Sequence, residues 1–464
     1  MQIKRIGFGF LVLTLLACNF VTQLIAPPTV TPQPTTTVAP PPTLVPTLTP
    51  TALVPAFVPP QCENQALATL SPDVALAQPT LESQANPDIS QGKQMQVFRE
   101  MTNVVEEVYV YPDYNGKDWN EIKERYRSKI EAGLDTESFY HEMQSMIYEL
   151  GDEHSDYLSP LDVEASGAEL KGENEYVGVG IYGEYNFDKQ SFVVISTFPG
   201  SAAEYAGLQA HDSILTVDSL PITEELGNRL RGPECSVAVA KVQSPGEAPH
   251  DVMLMRYQID GSIPLEARLA PTTDGSKIGY IFLPSFFDET LTPQMEDALN
   301  QFGQLDGLIL DLRMNGGGSS TVAYPIMEYF TQGELGAFVS RTESRPLEID
   351  AHPIQNSQTV PLVVLVSEDT VSFGEIFAGV MQDSGRAKIV GETSLGNVEV
   401  LHGYNFDDGS MMWIASETFV SAFSDANWEQ TGIVPDVQAF ADWDTFYFDT
   451  DPSVIASVKV LGHQ

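Results

Sequence analysis

The chain has 464 residues and carries 64 acidic against 23 basic side chains, so its formal net charge at neutral pH is −41. This length exceeds what one ordinary hydrophobic core accommodates, and it predicts two or three domains with tails. The electrostatic potential around so acidic a chain is negative and repels phosphate groups, which argues against nucleic acid as a partner.

The N-terminus has the composition of an export signal. Lys4 and Arg5 precede a short apolar run that ends in Leu-Leu-Ala-Cys. This order predicts a signal peptide over residues 1–17, too short for an ordinary membrane span. The last four residues resemble a bacterial lipobox, which implies cleavage before Cys18, lipidation of Cys18 and anchoring to a membrane of the cell envelope, outside the cytoplasm. A plain signal peptide with an incidental cysteine is the alternative.

A tether is predicted to follow the lipidated cysteine, over residues 18–90. Stretches such as "APPTVTPQPTTTVAPPP" are dominated by Pro and Thr and cannot assemble a core. The two remaining cysteines, Cys62 and Cys235, could pair in an exported protein. Their spacing alone does not establish a disulfide.

A small helical module is predicted over residues 91–170, because "MQVFREMTNVVEEVYV" and similar stretches carry apolar residues at helical spacing. The module ends in a polar, turn-rich segment, "LGDEHSDYLSP", which contains His154.

Residues 175–270 change to a pattern of short strands with one short helix, "SAAEYAG". The stretch "FPGSAAEYAGLQAHDSILTVDSLPI" resembles the core of a PDZ domain, and "GVGI" resembles the loop that receives a peptide's terminal carboxylate. Amides around glycines can bind an anion, and the adjacent strand edge can accept an extended peptide. The resemblance implies peptide binding at Gly178, Val179, Gly180 and Ile181. A small β domain without a ligand is the alternative.

Residues 275–445 alternate β-branched apolar runs with helix-like segments, which is typical of buried strands in an α/β layer. The predicted fold class is α/β within a multidomain α+β chain, and residues 446–464 are assigned to a C-terminal tail. Three glycines follow one buried run in "DLRMNGGGSS", where the backbone can aim an N–H group at a developing oxyanion. Phosphate binding is the rival interpretation, but no lysine follows at Walker spacing.

Ser372 stands between the apolar run "PLVVLV" and a predicted helix, in "VSFGEIFAGV". The pattern Ser372-x-x-Glu375 matches a capping box, in which both side chains satisfy backbone N–H groups. The serine is also a candidate nucleophile, because the positive end of the helix dipole stabilises negative charge on its oxygen. One serine can serve both purposes.

Five segments occur in the order seen in C-terminal processing peptidases, also called tail-specific proteases. They are "LGDEHSDYLSP", the PDZ-like stretch, "LILDLRMNGGG", "VSFGEIFAGVMQDSGRAKIVGE" and "GIVPDV". The chain resembles this family over roughly residues 95–440. The resemblance implies a crotonase-like core, Ser372 as nucleophile, and an oxyanion hole built from the N–H groups of Gly318 and Phe373.

The chain departs from this family at its usual base. The family's lysine comes 25 residues after the serine, where this chain has Asn397, and the glutamine expected four residues later is Leu401. An amide side chain has no titratable proton acceptor, so the Ser-Lys dyad is absent.

A histidine base is the alternative, as in the tricorn-like branch of the same superfamily. That branch takes its histidine from a D-x-H-[ST] motif, here residues 152–155, and orients it with a glutamate shortly before the closing G-x-x-P-D, here Glu429. Ser372, His154 and Glu429 would supply attack, proton transfer and fixing of the imidazole tautomer. Lysine-type members keep a similar histidine motif without using it for catalysis.

Two functional interpretations therefore stay open. The chain is a serine-type endopeptidase that cleaves proteins recognised by their C-termini, or an inactive peptide-binding or scaffold pseudoprotease. His402 lies on a strand-like segment and is better explained as structural, and Lys388 is expected on another side of the fold. No histidine or cysteine cluster has metal-ligand spacing, so neither a metal nor a cofactor is predicted.

Overall fold

The structure is a computed structural model that describes residues 54–63, 69, 86–152, 154–164, 176–223, 227–259, 263 and 265–464. The predicted signal peptide, Cys18 and most of the predicted tether lie outside the described residues. Within the described ranges, no helix is both long and apolar enough to cross a membrane.

Three helices form most of the described part of the helical module, and residues 160–164 are also helical. The three helices are α1 (Gln91–Val108), α2 (Trp119–Ala132) and α3 (Thr136–Tyr148). Each begins at a polar side chain that accepts a backbone N–H of the first turn, namely Ser90, Asp118 and Asp135. The apolar faces of the helices share one buried cluster with Met412 and Ile414, so the module packs against the α/β core. The chain then forms the short strand β1 (Asp156–Leu158).

The β domain that is predicted from its sequence to be PDZ-like spans the described residues between 176 and 259, and it is called the PDZ-like domain for that resemblance. Its strands are β2 (Tyr176–Gly178), β3 (Ile181–Asn186), β4 (Ser191–Thr197), β5 (Ser213–Val217), β6 (Leu220–Pro221), β7 (Val237–Gln243), β8 (His250–Met255) and β9 (Tyr257–Ile259). One sheet has the order β3-β4-β5-β7-β8 with β6 beside β5, and β2 pairs with β9. The predicted short helix is α4 (Ala202–Tyr205), and it begins at Ser201.

The N-terminal segment 54–63 packs on this domain. Phe57 stacks on Tyr205 with ring centroids 4.2 Å apart. Cys62 forms a disulfide with Cys235, with Cα atoms 5.3 Å apart, which answers the question that the spacing left open. The tether was predicted to extend to residue 90, but residues 54–63 already pack against this domain.

Two sheets and five helices build the α/β core. The first sheet contains β10 (Glu266–Leu269), β11 (Ile278–Phe282), β12 (Gly307–Asp311), β15 (Leu362–Val366), β16 (Lys388–Gly391) and β19 (Val437–Gln438), in that order. The second contains β1, β18 (Met411–Ser421), β13 (Gly333–Val339) and β14 (Ser344–Ile349), with β17 (Val400–Asn405) beside β18. The helices are α5 (Leu291–Phe302), α6 (Ser320–Glu328), α7 (Phe373–Asp383), α8 (Trp428–Thr431) and α9 (Pro452–Val460).

The parallel strands place the two candidate catalytic segments side by side. β11, β12 and β15 are buried at every position, as their continuous apolar runs predict. β12 and β15 are parallel neighbours, with Asp311 opposite Leu365. The glycine-rich turn after β12 and the turn that carries Ser372 after β15 therefore leave the sheet at the same edge.

The C-terminal segment belongs to the core rather than to a tail. Val454 and Val458 of α9 are buried in a cluster with strand residues of the first sheet. Asp451 caps this helix and also accepts a 2.7 Å hydrogen bond from Arg313, which follows β12. The predicted boundary at residue 445 does not separate an independent tail, while the mixed helix and sheet architecture confirms the predicted fold class.

Candidate active site

Ser372 occupies a sharp turn between β15 and α7. Its φ of 56° and ψ of −122° lie in a region that side-chain-bearing residues rarely adopt. A strained strand-to-helix turn is one way that a fold exposes a nucleophilic serine. Glu375 accepts the Ser372 amide at 3.2 Å, as the capping pattern predicts, and the Glu375 amide donates to the Ser372 carbonyl at 3.0 Å. A serine in this position can cap the helix and still act as a nucleophile.

The glycine-rich turn lies directly against Ser372. A Cβ added at Gly317 would lie 2.7 Å from the Cβ of Ser372 and 3.2 Å from the Phe373 amide nitrogen. Gly318 has a φ of 142°, and a Cβ there would lie 2.2 Å from the carbonyl carbon of Phe286. In the described part of the chain, the amides of Gly318 and Phe373 donate no hydrogen bond, so both stay available to an oxyanion.

Asn397 stands beside Ser372, at the position where the family carries its lysine. The Ser372 amide donates to the Asn397 carbonyl at 3.0 Å. The backbone N–H of Asn397 donates to the Glu375 carboxylate at 2.8 Å. The side-chain Oδ1 of Asn397 is buried and has no hydrogen-bond partner among the described residues. Glu375 also accepts from Ser394 Oγ at 2.6 Å and from the Gly396 amide at 2.7 Å. One buried carboxylate thus fixes the loop that adjoins the serine.

The same carboxylate is chemically unusual. Burial raises the pKa of Glu375, and the donors around it only partly oppose that shift. The position of Glu375 three residues after Ser372 predicted only a helix cap. In the structure this carboxylate connects the start of α7 to the loop of residues 394–397.

His154 is positioned by the two polar neighbours in its motif. The Asp152 carboxylate accepts the amide of His154 at 3.0 Å, the amide of Ser155 at 2.8 Å and the Ser155 hydroxyl at 2.6 Å. Ser155 Oγ in turn accepts the amide of Ala415 in β18 at 3.0 Å. The Asp and Ser of the motif therefore fix the histidine backbone to the second sheet, which explains why those residue types flank it.

The imidazole of His154 is largely buried, with 17 % of its side chain exposed. Burial lowers the pKa of His154, and the nearby carboxylates of Glu399 and Asp152 oppose that shift. Its Nδ1 lies 3.9 Å from Glu399 Oε2. His154 and Ser372 make no hydrogen bond to each other in this structure.

Glu429 does not make the predicted hydrogen bond to His154. It accepts the amide of Val398 at 2.8 Å, and its carboxyl group hydrogen-bonds to that of Glu399. Burial and the neighbouring Glu399 raise the pKa of Glu429 to about 9. Tyr111 donates its hydroxyl to Glu399 Oε1 at 2.7 Å. Glu399 therefore stands between Glu429 and the imidazole.

The predicted carboxylate-binding loop of the PDZ-like domain is packed more tightly than its sequence suggests. The amide of Val179 donates to Leu230 at 3.1 Å. Gly180 has a φ of +80°, and a Cβ there would lie 2.1 Å from the Cβ of Ser201. Gly178 and Val179 are buried, while Ile181 begins β3, which has β4 as its one neighbour among the described strands. The free edge of β3 is the open feature of this loop.

The other candidate bases lie in structural contacts. His402 Nε2 lies 3.4 Å from Glu417, and Lys388 pairs with Asp436 at 2.7 Å. Where the structure describes side chains, no group of three or more His, Cys, Asp or Glu is arranged to hold a metal ion.

One feature of the sequence points to Glu399. Asn397 and Glu399 are two residues apart, and residues two apart point to the same side of an extended chain. An acid two positions beyond the lost lysine was therefore a candidate for the same site. No local pattern predicted the site contacts of Glu375 and Tyr111, because their hydrogen-bond partners lie in other segments of the chain.

Two family models match parts of the chain. Residues 277–439 match peptidase family S41, and residues 92–147 match the C1 domain of tricorn protease. The carboxyl-terminal-processing protease of Synechocystis sp. is 29 % identical over 329 residues, which cover 66 % of this chain and 72 % of that protein.

Two solved structures are similar over most of the chain. The photosystem II D1 C-terminal processing protease has 25 % identity and a TM-score of 0.54, covering 80 % of this chain and 98 % of that one. A putative S41 protease from Bacteroides fragilis has 16 % identity and a TM-score of 0.55, covering 82 % and 98 %, and shows the shared fold.

Most of the two-sheet core, with its glycine-rich turn and its strained serine, lies within residues 277–439, the part of the chain that matches peptidase family S41. The similar proteins named above are carboxyl-terminal-processing proteases, which supports a peptidase as the class of this protein. The resemblance seen in the sequence is thereby confirmed.

Proposed function

We propose that this chain is an active serine-type endopeptidase that cleaves protein substrates recognised by their C-termini, with Ser372 as nucleophile and His154 as general base. One observation carries the proposal: Ser372 has a strained backbone and stands next to the amides of Gly318 and Phe373, which donate no hydrogen bond among the described residues. Strain of this kind persists where surrounding structure enforces it, and it clusters at active sites.

The chemistry follows from these positions. His154 takes the proton of the Ser372 hydroxyl as the oxygen attacks the scissile carbonyl carbon. The amides of Gly318 and Phe373 stabilise the negative charge on the tetrahedral intermediate. The imidazolium then returns its proton to the leaving amine, and a water molecule releases the acyl group by the same path in reverse. With Nδ1 turned toward Glu399, the other ring nitrogen, Nε2, is free to serve the serine.

Closure of the gap to Ser372 belongs to the proposal. Catalytic hydrogen bonds are often long in empty sites and tighten when substrate binds. Asp152 and Ser155 hold the backbone of His154, so the step that substrate binding is expected to drive is a reorientation of the imidazole side chain toward Ser372.

Substrate delivery is assigned to the PDZ-like domain. Glu184, on β3, is close enough to Asp369 and Glu368 to interact with them electrostatically. These two residues lie in the turn that leads to Ser372, so we expect the free edge of β3 to lie near the entrance to the serine. An extended peptide added to β3 would present its chain to that entrance.

The second candidate function is a peptide-binding pseudoprotease. Asn397 favours it, because the family's base is missing from its usual position and the imidazole is not hydrogen-bonded to the serine. In this function the fold would hold peptides without cleaving them.

Cleavage of an unfolded protein substrate distinguishes the two functions. Ser372→Ala and His154→Ala should each lower turnover by at least about 10³-fold, and the double variant should be no worse, because members of one catalytic unit are not additive. His402→Ala is the matched control and should retain turnover. If the unmodified protein binds peptides and cleaves none of them, the pseudoprotease is the correct function.

We further propose that the protein is exported and anchored at Cys18 by a lipid. The basic and apolar start of the chain supports this, as does the Cys62–Cys235 disulfide, since disulfides persist in oxidising compartments.

A further inference from the structure

Two buried polar atoms at the candidate site face each other but are too far apart to form a hydrogen bond. His154 Nδ1 and Glu399 Oε2 lie 3.9 Å apart, and neither has an N–H or hydroxyl partner among the described residues. A buried polar atom without a partner destabilises the folded state. Two such atoms pointing at one another therefore mark a contact that can form by a shift of about 1 Å, given ordinary hydrogen-bond lengths.

Glu399 is held in place by other groups. Its side chain is 1 % exposed, and Tyr111 donates to its second oxygen, Oε1, at 2.7 Å. Its carboxyl group also hydrogen-bonds to Glu429, which is fixed by the amide of Val398. A side chain with this many contacts can orient another group precisely.

The pair of carboxyl groups has to share a proton. Two hydrogen-bonded carboxyl groups cannot both be ionised without strong repulsion. Glu429 is the member that retains its proton, because its pKa is raised to about 9. Glu399 is the member of the pair that faces the imidazole, and its charge opposes the lowering of the pKa of His154 by burial.

We propose that Glu399, not Glu429, is the residue that positions His154, by accepting a hydrogen bond from its Nδ1–H, while neutral Glu429 holds Glu399 in place. This inference rests on the proposed function, in which His154 is the base. The contact fixes the tautomer that leaves Nε2 unprotonated toward Ser372, and it stabilises the imidazolium that forms during attack.

Other titratable groups surround this contact and are part of the same electrostatic balance. They come from the segment after α1, the loop of the histidine, α7 and α8, and are Tyr109, Tyr111, Asp152, Glu375 and Glu429.

The test measures the pKa of His154 directly, by NMR of the Ser372→Ala protein with isotope-labelled histidine. The signal is assigned by its loss in His154→Gln. Glu399→Gln should lower the pKa of His154 by roughly one unit or more, since it removes the charge next to the ring. Glu429→Gln should lower it less, because this carboxyl is already neutral. Glu417→Gln, a buried carboxylate paired with Arg345 and His402, is the matched control and should leave it unchanged.

A conservative variant keeps the test decisive if Glu399→Gln fails to fold. Glu399→Asp retains the charge, but its side chain is one methylene shorter, so the charge lies farther from the imidazole. This variant should lower the pKa of His154 by less than Glu399→Gln does. The proposal is overturned if Glu429→Gln lowers this pKa as much as changes at Glu399, or if changes at Glu399 leave it unaltered. The readout does not require turnover, so it separates failure of this contact from failure of the proposed peptidase activity.

Discussion

The backbone of Ser372 is held in a conformation that costs a side-chain-bearing residue about 1–3 kcal/mol. A helix cap does not require it, because a capping serine ordinarily has backbone angles in the β region, and Ser372 does not. The packing of β15 and α7, both buried in the main core cluster, offsets the strain. The conformation is better explained by a role for the hydroxyl than by the start of the helix.

Gly318 gives a prediction at the scale of one residue. In Gly318→Ala the added Cβ would meet backbone atoms of Phe286, which cannot move aside as a flexible side chain can. We expect a loss of about 3 kcal/mol in the free energy of unfolding, together with loss of turnover. Thermal and urea unfolding measure this. Gly316→Ala is the control, since nothing lies within 4 Å of a Cβ there, and equal behaviour of the two variants would refute the argument.

Glu429 gives a prediction about pH and stability. Its pKa is raised from 4.5 to about 9 in the folded protein, so the folded state holds a proton that the unfolded state releases. The stability from this group is full below about pH 4.5 and is lost as the pH rises toward 9. The glutamine in Glu429→Gln does not titrate. The melting temperature of this variant, relative to that of the unmodified protein, should therefore increase as the pH rises from 5 to 9. A difference that stays constant with pH would contradict the shift.

The sequence could predict individual site residues only where a short motif carried them. Ser372, Gly318 and His154 each sit in a local pattern of residue types. Glu399 depends on Tyr111, which is 288 positions away along the chain. Such contacts are created by the packing of the helical module on the core, and no local pattern reports them.

At the scale of elements, the loop before β17 and the free edge of β3 are the two parts that shape the site. Glu375 binds the loop through Ser394, Gly396 and Asn397. The edge of β3 keeps its backbone groups open along one side, and in the described part of the sheet no strand covers it. The first element is rigid, and the second is suited to a transient partner strand.

Peptide binding tests the role of β3. In the Ser372→Ala protein, a peptide with a free C-terminal carboxylate should bind about tenfold more tightly than its amidated form, because charge-assisted hydrogen bonds are stronger than neutral ones. Calorimetry or fluorescence anisotropy measures both affinities. A scrambled peptide with the same free carboxylate serves as the control. Equal affinity for the acid and the amide would leave β3 without a role in recognising C-termini.

The strands of the core were predictable, but its last helix was not. Runs such as "LILDL" and "PLVVLV" are continuous and β-branched, and they became β12 and β15. Helix α9 begins with Asp451 and Pro452, which are ordinary start signals, but it buries only a narrow apolar stripe over little more than two turns. With so few apolar positions, its role in the core depends on the partner Arg313, which lies 138 residues earlier.

At the scale of the whole molecule, the acidic charge and the two disulfide-linked segments fit a protein that works outside the cytoplasm. The net charge of −41 favours solubility and disfavours polyanionic partners. The Cys62–Cys235 bond ties the end of the Pro/Thr-rich region to the PDZ-like domain. A lipid at Cys18 would then hold the peptidase near a membrane, with the Pro/Thr-rich region as spacer.

Cys18→Ser tests that anchor. In a bacterial host, the unmodified protein should fractionate with membranes and yield an acylated N-terminal peptide that starts at Cys18. The variant should appear in the soluble fraction, because removal of the acylated residue removes the membrane attachment. Mass spectrometry that finds an unmodified peptide running across Ala17 and Cys18 in the mature protein would refute the lipid anchor.

Labelling of Ser372 by a fluorophosphonate tests the central claim most directly, because the reagent reports an activated serine without requiring the natural substrate. We predict a single adduct on Ser372, with a rate that rises with pH as His154 loses its proton. Burial lowers the pKa of His154 below its usual 6.5, so the rate should approach its plateau near neutral pH. His154→Ala should slow labelling by at least about 10²-fold, the usual scale of general-base catalysis. An absence of the adduct, or an equal rate in His154→Ala, would contradict activation of Ser372 by His154.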